Sequence, residues 1–173
     1  MTNQPGEHPS AGGRGRGDFD FWIGSWSQTH RKQRVPVPRG CQDWIEFGSV
    51  SHAWSTLGGM GNVDTMEVAD MPGVGHFHGM SWRILDPATG EWRIWWASTT
   101  RPGLVDHPVV GSFDGPIGVF ECDDELQGHP LRVRYTWDAT DPDHPTWEQH
   151  FSFDGRKTWD LNWVTESTRI VTP

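Results

Sequence analysis

The residues best equipped for chemistry are histidines, carboxylates and indoles spaced two apart along the chain. In an extended strand, side chains two apart share a face, so this spacing sorts them into groups. His76-Phe77-His78 sets two imidazoles side by side, a pairing able to hold a metal. A site of that kind needs a carboxylate soon afterwards, but Met80, Ser81, Trp82 and Arg83 follow, so no metal is expected. Trp26, Gln28 and His30 form a second group, and Trp44, Glu46, His52 and Trp54 a third. If those two segments form a hairpin, His30 and Glu46 become neighbours, each beside an indole. A carboxylate walled by tryptophan resists ionisation, and an imidazole beside it is poised to exchange protons. His30 and Glu46 are therefore the candidate acid–base pair. Asp64 is a further candidate carboxylate, and Asn62 a donor to a carbonyl. The competing readings are a turn cap for Asp64 and a surface ion pair for Glu46.

Other groups suit binding better than reaction. Trp26, Trp44, His78, Trp82, Trp96, Tyr135, Trp137 and Trp163 mix aromatic rings with a few polar atoms, as ligand cavities do. Arg134 is a candidate to meet a ligand carboxylate. If it is internal, it needs an acid such as Glu148 or an anionic ligand. The glycine-rich stretches LGGMGN and GVGHFHG lack the lysine, the dinucleotide spacing and the following helix of phosphate sites, and read as turns. No G-x-S-x-G elbow occurs, which argues against hydrolysis through a serine nucleophile.

The elements that must carry these residues are strands. Period-two alternation recurs over about 24–35, 41–54, 63–69, 76–86, 91–99, 107–114, 117–123, 130–138, 146–154 and 158–170. Turn chemistry separates the segments, as in Asp86–Gly90 (DPATG) and Asp154–Lys157 (DGRK). Ten strands joined by short turns predict an all-β, up-and-down antiparallel barrel with an internal cavity, an open sandwich being the alternative. Residues 18–24 read as a short apolar plug, and residues 1–17 as a disordered Gly/Pro-rich tail before a barrel domain of residues 18–173.

Twelve tryptophans and 21 glycines in 173 residues fit a sheet protein with an aromatic interior and tight connections. A net charge of −9 with scattered Lys and Arg disfavours nucleic acid. No apolar run is long enough to span a membrane as a helix, and the N-terminus lacks a secretory signal. Two cysteines, Cys41 and Cys122, suit free thiols in a cytoplasm, with a single bridge between them left open.

The segments FDFWIGSW (19–26), LGGMGNVD (57–64), DPATGEW (86–92), PTWEQHFSFDG (145–155) and KTWDLNW (157–163) resemble the DUF1579-type family of calycin-like, that is lipocalin-like, bacterial proteins. The resemblance runs over residues 18–170 and implies a barrel with an internal cavity, without implying a reaction. The function expected from the sequence is binding of a hydrophobic or aromatic small molecule. An enzyme needing no cofactor would isomerise, cyclise or eliminate within it; a passive carrier is the alternative. A third reading is a haem binder of the nitrobindin sort, with His30, His76 or His78 on the iron. A homodimer is compatible with all three.

Overall fold

The structure is a computed structural model, and it describes residues 14–36 and 42–171. Ten strands follow one another: β1 (Gly24–Gln33), β2 (Trp44–Thr56), β3 (Gly61–Met71), β4 (Gly75–Asp86), β5 (Glu91–Ser98), β6 (Val109–Asp114), β7 (Ile117–Leu126), β8 (His129–Asp138), β9 (Thr146–Ser152) and β10 (Asp160–Arg169). Each pairs antiparallel with the next, and β1 pairs with β10, which closes the barrel. All ten expected segments are strands, with ends displaced by a few residues. Closure removes the free edges that an open sheet would expose.

The lower end of the barrel is shut by the N-terminal segment. Asp20–Trp22 make one 3-10 turn that drops Phe19 and Trp22 into the barrel, each 2 % exposed. Trp22 stacks on Trp26 with centroids 4.8 Å apart, and Phe19 meets Trp92, Phe113 and Trp137 edge-on. Arg14–Gly17, expected in the tail, instead lie against the barrel. Arg16 donates to the Gly58 carbonyl at 2.7 Å, and the Trp92 indole donates to the Gly15 carbonyl at 3.2 Å. The indole at position 92 needs an acceptor, and this segment supplies it. The earlier part of the expected tail, and Cys41, lie outside the described residues. Cys122 is a free thiol, pushed up to about 12 by burial, and is inert at neutral pH.

Interior apolar packing falls into two clusters. The first joins the plug to Trp26, Trp92, Ile94, Phe120 and Trp137 and runs along β8 through Val133 and Leu131 toward the other end. The second, at the upper end, gathers Ile45, Phe47, Met66, Val68 and Phe77, with Trp96 and Trp163 against it. Inward hydroxyl and amide side chains from β1, β2 and β10 lie along the wall beside them.

Candidate functional site

Alternation along β1 turns Trp26, Gln28, His30 and Lys32 to the interior, in register with Ser51, Ser49, Phe47 and Ile45 of β2. His30 is 2 % exposed. Its Nδ1 lies 2.9 Å from Thr165 Oγ1 and 3.3 Å from the Trp163 indole nitrogen, which can only donate. Nδ1 is therefore the acceptor, and Nε2–H donates to Ser49 Oγ at 2.7 Å. Ser49 then donates to Gln28 Oε1 at 3.0 Å, and Gln28 Nε2 donates to Ser167 at 3.3 Å. Burial, helped by the charge of Lys32, lowers the imidazole from 6.5 to about 3, so it is neutral with both nitrogens engaged. That makes it an anchor of the interior rather than a proton carrier.

Asp64 and Asn62 also point inward, from β3. Asp64 forms a buried ion pair with Arg83 and accepts from the Trp22 indole at 3.2 Å, while Asn62 accepts from Arg83 at 2.9 Å. A buried carboxylate needs this degree of pairing, and the same bonds tie the plug to the wall. Both residues are thus committed to structure.

Toward the upper end the interior changes character. Tyr135, Gln149, Trp163 and Lys32 are successive partners across β8, β9, β10 and β1. Trp163 packs edge-on against Trp147 at 5.5 Å and Trp96 at 6.5 Å, and Tyr135 meets Trp147 at 4.9 Å. These four rings point inward, yet they keep partial solvent exposure. Solvent therefore reaches part of this aromatic interior. The Lys32 ammonium lies 3.8 Å over the Trp163 ring and forms no ion pair among the described residues. Burial lowers it from 10.5 to about 8, with the Asp106 charge acting in the opposite direction. Asn162 adds a buried amide nitrogen without a hydrogen-bond partner among the described residues, while its oxygen accepts from Gln149 at 2.7 Å.

The wall beside these rings is incomplete. β5 pairs with β6 only through Trp92, Arg93 and Ile94, so its upper residues have no strand on that side. Residues 99–108 span the interval. The Asp106 amide donates to the Trp96 carbonyl at 2.9 Å, Arg101 pairs with the Asp106 carboxylate, and His107 lies 3.4 Å from Asp124. Asp106, raised by burial, is the anionic group whose field reaches Lys32 and Tyr135.

The sequence placed several candidates on the wrong side of the wall. Trp26, His30, Asn62, Asp64, Trp96, Tyr135, Trp137 and Trp163 face inward as expected. Trp44 and Glu46 do share a face, but it is the outer one: Arg31 stacks on Trp44 at 4.6 Å, and Glu46 is exposed opposite Arg31. The His30–Glu46 pair is therefore not assembled, because the small Ser49 and Ser51 occupy the interior beside Gln28 and His30. Trp82 stacks on Trp95 at 5.9 Å on the outside, and His78 is exposed there too. Arg134 pairs on the outside with Glu121 at 2.7 Å and covers Trp159, while Glu148 lies 3.7 Å from His150. The residues missed were Lys32 and Asp106. Lys32 continues the 26, 28, 30 series by one more step, so its signal was present; Asp106 lies in an irregular segment that alternation does not describe.

The strand order and inward faces define a closed, ten-stranded up-and-down barrel whose interior carries aromatic rings and a largely buried lysine toward one end. No known family model matches the chain, and no curated protein matches it. Among solved structures, it is similar to the S-type phycobiliprotein lyase from Guillardia theta, with a TM-score of 0.38 and 10 % identity over 90 % of this chain and 92 % of that one. No helix among the described residues is long and apolar enough to cross a membrane.

Proposed function

We propose that the barrel binds an apolar or aromatic small molecule that carries an acidic group, with the rings among Trp96, Tyr135, Trp147 and Trp163 and the acid on Lys32. One observation carries this reading: Lys32 is a largely buried cation with an aromatic face beneath it and no ion pair among the described residues. A charge in such a place costs stability unless an anion completes it, and a ligand carboxylate or sulfonate does so. Entry runs through the interval between β5 and β6 that residues 99–108 span.

Binding is favoured over catalysis because the expected acid–base groups are either spent or outside. Any proton transfer in the interior falls to Lys32, whose amine is lowered to about 8 and so exchanges near neutrality. An interior haem fits poorly: His30, the inward imidazole among the described residues, uses both nitrogens, and His76 and His78 are exposed outside.

The test compares pyrenebutyric acid with the matching pyrenebutanol, read by tryptophan quenching. The acid is expected to bind about tenfold or more tightly, the scale of one hydrogen bond to a charged group. Lys32→Met should abolish that preference and keep the affinity for the alcohol. Equal affinity of the unmodified protein for both probes sinks the reading.

A further inference from the structure

On the outer wall, Glu67 of β3 lies directly across from His78 of β4, and His76 is two residues away on the same strand. The two imidazole rings stand nearly perpendicular, at 89°, with centroids 4.7 Å apart. His76 Nε2 lies 3.3 Å from Glu67 Oε1. One ligand atom from each of the three residues falls within a sphere of contacts no wider than 4.8 Å. The Glu67 carboxylate is the third donor that the stretch after His78 failed to provide, delivered by the neighbouring strand.

From this we infer a binding site for a divalent first-row transition ion, held by Glu67, His76 and His78, with zinc as its simplest occupant. Two donors each about 2.0–2.1 Å from a tetrahedral ion stand about 3.3 Å apart, which is the separation already present between His76 Nε2 and Glu67 Oε1. The third donor reaches the ion by rotation of an exposed side chain, which is cheap. Two imidazoles and a carboxylate suit zinc, nickel, cobalt or copper better than calcium or magnesium, which prefer all-oxygen sets. His52, farther along the same face, is engaged with Ser25 at 2.9 Å and stands outside the set.

Three protein ligands leave at least one position open. His78 also lines a groove of about 500 Å3 between Thr65, Met80 and Ala97 on the wall and Pro102 to Leu104 in the connection above it. A second hollow, of about 100 Å3, lies between Val50, His52, Glu67 and His78. The open position therefore lies beside space for a small exogenous ligand, and the formal charge of −9 favours cation capture.

The experiment is zinc titration of the tag-free full chain by calorimetry, with cobalt absorption as a second probe. One ion per chain is expected, and cobalt should give the visible bands of a low-symmetry site with nitrogen ligands. Glu67→Gln, His76→Ala and His78→Ala should each weaken binding by roughly tenfold or more, at least the loss seen when a mere supporting partner of a ligand is removed. All three positions are exposed, so unchanged thermal unfolding of the metal-free variants should accompany the loss. His144→Ala, at another exposed histidine, should leave the titration unaltered. Zinc binding that survives all three substitutions, or no zinc uptake at all, overturns the inference.

Discussion

Lys32 and His30 are two titratable groups that the fold holds in their neutral direction, and each leaves a signature in stability. Lys32 is lowered in the folded chain from 10.5 to about 8, so the unfolded chain binds more protons between those values and stability rises with pH there. Below pH 8 the whole penalty applies, on the order of 3 kcal/mol. Lys32→Met should therefore raise the melting temperature at pH 7 even as it removes preference for an acidic ligand, which separates function from mere damage. His30 runs the same way lower down: lowered to about 3, it withholds a proton that the unfolded chain accepts below 6.5. Stability is complete above that value and falls as the pH drops, with a slope approaching 1.4 kcal/mol per pH unit. His30→Gln should flatten denaturant midpoints between pH 6 and about 5, above the ordinary glutamate range; an unchanged slope contradicts the assignment. At this scale the sequence was legible in pairs rather than in sides. Trp44 and Glu46 do stand together, but alternation alone has no sign, and only the serines filling the interior beside Gln28 and His30 decide which way each set turns.

Elements were legible because turn residues and period-two alternation state the same thing twice. Every strand from β1 to β10 lies where those signals coincide, and the DPATG turn closes with the Gly90 amide donating to the Asp86 carbonyl at 2.8 Å. What alternation did not show is where a strand gives way to let a neighbour in. Gly79 of β4 is such a place, since a Cβ there would come 2.0 Å from Cη2 of Trp96. Gly79→Ala must therefore displace that indole. It should cost about 1–3 kcal/mol, as overfilled interiors do, and should alter quenching by pyrene probes. A variant that melts and quenches like the parent shows that the indole has room to spare. Residues 99–108 were equally hidden, because their contacts, Arg101 to Asp106 and His107 to Asp124, follow no period. Asp106→Ala should speed ligand association and dissociation together in stopped-flow measurements, leaving affinity less affected than the rates.

The molecule as a whole depends on a seam. β1 and β10 come from opposite ends of the described chain, and Arg169 fastens them by donating to the carbonyls of Ile23 at 2.9 Å and Phe21, pairing with Asp143 at 2.6 Å, and covering the Trp26 ring at 4.3 Å. Arg169→Met should lower stability by about 2–3 kcal/mol, because those carbonyls lose their donor, and should raise hydrogen exchange in residues 18–24 first. Uniform exchange across the barrel would show that the plug and the seam are independent. Closure was foreseeable from strand count and short turns, whereas the clasp was not, since nothing in the spacing of Arg169 marks it from other arginines. The short pairing of β5 with β6 has one more consequence. If residues 99–108 swing aside, as the proposed route for a guest requires, the upper residues of β5 present bare amides and carbonyls, a ragged border in a barrel otherwise hemmed all round. Loading and self-adhesion then compete for one opening, so crowded, guest-free protein should clump sooner than the same protein once filled.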